Sequence, residues 1–346
     1  MADRGAEPVD PRSRMMGLVL AGNVSQAIAT AVELALPQAL ADGPLSADEL
    51  AARCGANRRQ LFRLMRALTA FGVFTRADDE RYSLSPIGST LLAEQDDGHS
   101  VAGLALFAGS QRLLEARGAL TESVRTGASA FRCAHGTDLA DAMQHDPELA
   151  RLWERWAGYS AGVDAQAGPV LESYDFSHAS HVVDVGGRYG GLLAEILRTV
   201  PDATGTVFDL PDAEEGARAH LRACGLGERA RVVAGSFFDS VPEGGDLYVV
   251  SNVLADWDDE RAVVLLRICR AAMAPGSRLL VIEPMFPEPV LEAAGTSLLD
   301  LWMMVHSGGM RTVDEVTELM RTAGLEVRAV IPTASSAATL VEATRA

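Results

Sequence analysis

An open α/β sheet binds its ligand beyond the carboxyl ends of its strands, so the residues closing the short apolar runs of this sequence are the first candidates for chemistry. The run at 181–185 leads into Asp184-Val-Gly-Gly-Arg-Tyr-Gly-Gly191 and then into a helical segment at 192–199. Glycines at such a turn, Gly186 and Gly190 among them, let a nucleotide-like ligand reach the backbone and the helix N-terminus. Gly190 and Gly191 serve equally for close packing of a helix on a sheet. Asp209 closes the next run, where a carboxylate accepts hydrogen bonds from the two hydroxyls of a ribose.

Two further residues have two readings each. Arg188, inside the glycine-rich turn and next to a helix start, can bind a substrate carboxylate or enolate; it can equally close the pocket through a salt bridge to Asp184 or Asp209. His306, in Asp300-Leu-Trp-Met-Met-Val-His-Ser307, can face the same cavity, as can Asp256, Trp257 and Tyr159, and there serve as a general acid or base. A histidine packed on its own helix and bonded to a backbone carbonyl fits the sequence as well.

Composition narrows the field. The chain has 346 residues, 48% hydrophobic and 22% charged, enough for one large or two modest domains. Acidic residues outnumber basic ones 47 to 30, for a formal charge of −17, so a polyanion is repelled and nucleic acid is not expected as a partner. No lysine occurs, which excludes Schiff-base aldolases, pyridoxal-phosphate enzymes and P-loop nucleotidases. Cys54, Cys133, Cys224 and Cys269 are scattered, so neither a metal site nor a disulfide framework is expected, and a cytoplasmic location is the default. Residues 1–14 read as a disordered leader, and no stretch is expected to span a membrane.

The elements that must position these residues fall into two kinds. Residues 27–40 read as helical with a break at Pro37. Ser46-Ala-Asp-Glu49 is a capping box for a short helix stopping at Gly55, and Asn57 caps another that runs to Gly72. Residues 73–75 and 82–84 then alternate around Asp78-Asp79-Glu80 as a hairpin does. Helix, helix, hairpin describes a winged helix. Its arginines, Arg58, Arg59, Arg63 and Arg66, allow DNA binding, but the acidic balance favours a protein-protein module with a solvated charged face. Residues 104–172 are again helical, with Trp153, Trp156 and Tyr159 spaced so that at least two share a face. From 181 onward, apolar runs at 181–185, 205–209, 230–234, 247–251 and 278–283 alternate with helical segments, the pattern of a parallel sheet with crossover helices. Runs at 326–331 and 338–343 are expected to form an antiparallel hairpin at one edge.

Val182-Val-Asp-Val-Gly-Gly, Val207-Phe-Asp-Leu-Pro211, Gly235-Ser-Phe-Phe-Asp239, Val253-Leu-Ala-Asp-Trp-Asp-Asp259 and Gly308-Gly-Met-Arg-Thr312 together resemble the ordered motifs of the small-molecule O-methyltransferases that use S-adenosylmethionine. The nearest resemblance is to bacterial polyketide-tailoring members, among them a sister enzyme that hydroxylates instead of methylating. The resemblance implies an α/β fold: a class I methyltransferase, Rossmann-like sheet domain at 175–346 behind a winged-helix dimerisation domain at 15–103, with a helical connector at 104–174 lining the pocket. It further implies a homodimer acting on a small molecule; no metal and no membrane partner are expected, on the scattered cysteines and on the apolar pattern. It places the cofactor on Asp184, Gly186, Gly190, Asp209, Ser236 and Phe237. The acceptor falls among Trp153, Tyr159, Ala255, Trp257, Met303 and Met310.

Four positions depart from the family pattern. Arg188 replaces the middle glycine of Asp-x-Gly-x-Gly-x-Gly, where its stem competes for the volume of the cofactor's methionine part and adds positive charge near a sulfonium. Ser236 replaces an acid at the adenine end. Ala255 replaces the histidine that many members use as the base, and Met310 replaces a glutamate, leaving Glu283 as the remaining orienting carboxylate. These changes predict a repurposed pocket carrying out a non-methylating step such as cyclisation, rearrangement, elimination or hydroxylation, with Arg188, His306, Glu283 and Asp256 as its chemical groups. The alternatives are methyl transfer to a phenol by proximity alone and a non-catalytic partner or ligand-sensing regulator.

Overall fold

The computed structural model describes residues 10–92, 100–162, 167–286, 294–306, 308–333 and 338–345, with backbone only at 156–162 and 294. Two compact units result: Met1–Glu115 with Ala142–Ser160, and Ala116–Asp141 with Ala161–Ala346. The helices between 104 and 174 are thus shared between the two.

In the first unit, α1 (Pro11–Glu33) starts on Asp10, whose side chain accepts the Ser13 N–H. Residues 10–14, expected in a disordered leader, are therefore the cap and first turn of this helix; the rest of that leader lies outside the described residues. Helix α2 (Leu36–Leu40) follows at once. The break falls at Ala35, in the left-handed region at φ +53°, and not at Pro37, which sits in the first turn of α2 where a missing N–H costs nothing. Helices α3 (Ala47–Cys54) and α4 (Arg58–Ala70) open on the capping box of Ser46 and Glu49 and on Asn57, and Gly55 closes α3 in the left-handed region. Strands β1 (Phe74–Arg76) and β2 (Tyr82–Leu84) pair antiparallel, completing helix, helix, hairpin over a core that includes Leu36, Leu50, Met65, Leu68, Phe74 and Tyr82.

One element is longer and more apolar than the sequence reading suggested. Helix α1 is, by length and composition, long and apolar enough to cross a membrane. Its first half is bare, with Met15, Met16, Leu18, Val19 and Leu20 half or more exposed, while Ala29, Ala31 and Val32 are buried. Small residues diluted the apolar signal in the sequence.

The second unit is a seven-stranded sheet in the order β5-β4-β3-β6-β7-β9-β8. Strands β3 (His181–Val185), β4 (Thr204–Asp209), β5 (Ala230–Ala234), β6 (Leu247–Ser251) and β7 (Arg278–Glu283) run parallel; β9 (Thr339–Arg345) lies antiparallel to β7 and to β8 (Leu325–Pro332). The central strands are buried on both faces, as a sheet sandwiched by crossover helices requires, whereas edge strand β8 alternates between buried and open positions. The chain order reverses between β3 and β6, which puts the carboxyl ends of β3, β4, β6 and β7 at one crevice.

Candidate active site

The turn after β3 takes its shape from left-handed residues at alternate positions: Gly186 at φ +74°, Arg188 at +47° and Gly190 at +77°. The Gly186 N–H donates to the Phe208 carbonyl (2.8 Å) and the Gly190 N–H to that of Gly187 (2.7 Å), so the loop folds back tightly before the helix Gly191–Thr199. A Cβ at Gly187 would collide with the Asp184 carboxylate, and one at Gly190 would stand 2.7 Å from Val207. Arg188 therefore holds a left-handed backbone that a glycine adopts without strain, at a cost of about 1–2 kcal/mol. Its N–H donates to Asp209 Oδ2 (2.7 Å), and its guanidinium lies over the Tyr189 ring, 5.0 Å from the centroid. No salt bridge joins it to Asp184 or Asp209. Asp209 also accepts the Leu210 N–H at Oδ1 (2.7 Å); burial raises its carboxyl, opposed by these two N–H groups and the Arg188 charge.

Phe237 sits beside the turn, its ring edge 3.7 Å from where a Gly186 Cβ would be. It belongs to an edge-to-face cluster with Phe238 (4.9 Å) and Trp257 (6.0 Å), with the Arg261 guanidinium over Trp257 at 5.3 Å. The aromatic pair expected beside Ser236 is thus half buried and tied to Trp257. The Ser236 hydroxyl accepts the Phe238 N–H (3.2 Å).

A second group gathers at the ends of β6 and β7. Glu283 Oε1 accepts the N–H groups of Val253 (2.9 Å) and Leu254 (2.8 Å), pinning the start of the single 3-10 turn Leu254–Asp256. Oε2 is buried with no partner among the described residues. Burial lifts the Glu283 carboxyl to about 8; its two N–H bonds and Arg311 oppose this, and the Asp256 charge adds to it. Asp256 keeps an accessible side chain, yet the surrounding protein desolvates its carboxyl enough to lift it to about 7. The segment 308–311 lies against this turn. A Cβ at Gly308 would fall on the Ala255 carbonyl, which accepts the Gly309 N–H (2.9 Å). Arg311 donates to the carbonyls of Leu254 (2.9 Å) and Trp257 (2.7 Å) and to Asp259 (2.9 Å), and the Met310 N–H donates to Asp300 (2.9 Å). The structure thus brings together Ala255, Asp256, Glu283 and Met310. Sequence reasoning missed Arg311 and Asp300 as the groups that hold them, although Arg311 stands in a motif it quoted.

His306 is buried, with its backbone N–H on the Met303 carbonyl (2.9 Å) and its ring tilted against Trp302 at 5.4 Å. Burial lowers its pKa to about 4, so at neutral pH it is an uncharged imidazole and holds no proton to give as a cationic acid. Met303 is buried beside it. Trp153 belongs to the other unit, edge-on to Phe107 at 5.5 Å. The Tyr159 side chain lies outside the described residues. Among the described residues no three His, Cys, Asp or Glu side chains gather as a metal site.

The O-methyltransferase domain family matches residues 118–326, and the O-methyltransferase dimerisation domain family matches residues 16–94. This chain belongs to the O-methyltransferase family. The mitomycin biosynthesis 6-O-methyltransferase of Streptomyces lavendulae is 37% identical to it over 324 residues, 93% of this chain and 91% of that protein. The aclacinomycin 10-hydroxylase RdmB of Streptomyces purpurascens is 33% identical over 330 residues, 92% and 87% of the two chains. Among solved structures, the O-methyltransferase NcsB1 from neocarzinostatin biosynthesis, in complex with S-adenosylmethionine and 2-hydroxy-5-methyl naphthoic acid, superposes with a TM-score of 0.78 at 34% identity, covering 93% of this chain and 96% of that one. The chain is therefore of a secondary-metabolite family whose fold binds S-adenosylmethionine.

The residues present fit that cofactor. The crowded turn at 186–190 keeps the left-handed backbone that a close-lying ligand needs, Asp209 retains acceptor capacity beyond its two N–H bonds, and Phe237 offers a ring beside the turn.

Proposed function

We propose that this protein transfers a methyl group from S-adenosylmethionine to a hydroxyl of an aromatic or polyketide-like small molecule, acting as a homodimer. The observation that carries this reading is Arg188: it holds a left-handed backbone of the kind glycine favours, gives its N–H to Asp209, and has its guanidinium over Tyr189. That arrangement supports a reading in which the side chain and the cofactor share the turn.

When bound, the cofactor supplies an electrophilic methyl group. Asp209 would accept the ribose hydroxyls, the backbone of 186–190 would lie along the amino-acid end, and Phe237 would flank the adenine, with the Ser236 hydroxyl in place of an acid. Asp256, lifted to about 7, matches the requirement of a base working near neutral pH and would take the acceptor's hydroxyl proton as its oxygen is methylated. Glu283, protonated at neutral pH, and Arg311 act as positioning residues that hold the 253–257 turn in place. Met303, Met310, Ala255 and Trp257 would line the acceptor, and neutral His306 would serve at most as a hydrogen-bonding group. The dimer is supported by the dimerisation-domain match and by the bare apolar half of α1.

A second reading is favoured by two observations: a cation stands in the glycine turn, and one relative is a hydroxylase. Under it the pocket performs a non-methylating step with Arg188 on an acidic substrate. Calorimetric titration with S-adenosylmethionine and S-adenosylhomocysteine separates the two. Micromolar binding to the unmodified protein is expected; no binding, restored in Arg188→Gly, would favour the second reading.

A further inference from the structure

We infer that Arg188 is the anchor for the carboxylate at the amino-acid end of the nucleoside cofactor, so that this chain selects ligands by that charge. The inference rests on the methyl-transfer reading above.

Arg188 is doubly unfavourable as an isolated residue. It holds a left-handed backbone without being glycine, and its Nε is buried with no hydrogen-bond partner among the described residues. Some arginines of this unit pair with carboxylates, as Arg278 does with Glu342 and Arg311 with Asp259, whereas Arg229 and Arg345 bond backbone carbonyls and Arg270, like Arg188, has a buried Nε without a partner among the described residues. Among the described residues the Arg188 guanidinium lies over the Tyr189 ring and near enough to Asp209 for its charge to act on that carboxyl, with no hydrogen-bonded carboxylate of its own. Its neighbour Asp209 is occupied by the Arg188 backbone N–H and not by the guanidinium. Backbone strain and an unpaired buried donor at one residue point to a partner supplied from outside the chain.

The surroundings define that partner. Asp209, closing β4, is placed to hold a ribose, so whatever the ribose carries on its other side passes the 186–190 turn. There the helix Gly191–Thr199 presents its N-terminus, which adds partial positive charge to that of the guanidinium. A sulfur nucleoside with an amino-acid tail has one anionic group, its carboxylate, and a planar guanidinium pairs with it through two parallel N–H bonds.

The test compares S-adenosylhomocysteine with its carboxyl methyl ester by calorimetry, on the unmodified protein and on Arg188→Gly, whose folding is checked by thermal melting. Glycine suits the backbone here, so the variant is expected to fold. The unmodified protein should prefer the free acid by about tenfold or more, and Arg188→Gly should lose that preference while keeping its affinity for the ester. Equal binding of acid and ester by the unmodified protein, or an undiminished preference in Arg188→Gly, overturns the anchor while leaving the methyl-transfer reading standing. If the unmodified protein binds neither ligand, both fall.

Discussion

Glu283 makes the stability of the second unit depend on pH in a way that Glu283→Gln should abolish. In the fold its carboxyl keeps a proton up to about 8, against an ordinary value of 4.5. Between those values the folded chain binds one more proton than the unfolded chain, so stability falls as pH rises, by up to about 1.4 kcal/mol per pH unit. His306 acts in the opposite sense: lowered to about 4 from 6.5, it loses stability as pH falls through that window. Asp256, lifted from 3.8 to about 7, acts in the same sense as Glu283, so below 6.5 His306 offsets only one of the two carboxyls, and above about 7 Glu283 alone remains. Across the roughly 1.5 units from 6.5 to its pKa the loss due to Glu283 is roughly 2 kcal/mol. Glutamine can still accept the Val253 and Leu254 N–H groups but does not titrate. Urea unfolding between pH of about 5 and 9 reads the result: from about 6.5 to 8 the unmodified protein should lose roughly 2 kcal/mol more than the glutamine variant, which should hold level above about 7. A stability that is flat or rising from 6.5 to 8 in the unmodified protein, or variants that fall in parallel, would refute the burial assigned to Glu283.

Gly308→Ala should lower stability by about 2 kcal/mol or more, because its Cβ would fall on the Ala255 carbonyl and break the Gly309 bond; an unchanged melting temperature contradicts the packing. Arg311→Met should cost about 2 kcal/mol by leaving the Leu254 and Trp257 carbonyls unpaired, and should depress kcat more than cofactor affinity, which titration and kinetics separate. Asp256→Asn should lower kcat and erase the rise in rate with pH near 7, while S-adenosylhomocysteine binding stays intact; a retained pH limb removes Asp256 as the base.

The strands of the sheet were legible because each is a short apolar run ended by a turn, and Ser46, Asn57 and Gly55 marked their helix ends by capping chemistry alone. The break at Ala35 was not, since a left-handed alanine leaves no mark in the sequence while Pro37 attracts attention by its ring. Of the candidate site, Asp184, Gly186, Gly190, Asp209 and Glu283 could be read as strand ends and turns. The path of the Arg188 side chain could not: whether a guanidinium fills a pocket or lies on its neighbour depends on rotamers and on the room beside Tyr189, which itself lies against Gly216. Nor could the burial of His306, which depends on the tie between Ala130, Phe131 and the carbonyls of Met304 and Val305, far apart in the chain.

Methyl transfer itself is the most direct test. The protein would be incubated with S-adenosylmethionine carrying a carbon-13 methyl group and a panel of hydroxylated naphthoates and other phenols, and the products followed by carbon NMR and mass. A new aryl methoxy signal, formed in step with S-adenosylhomocysteine, is the expected result. An acceptor consumed without label, or one that gains an oxygen atom in place of the methyl group, would contradict the account and leave Arg188 as the centre of a different reaction.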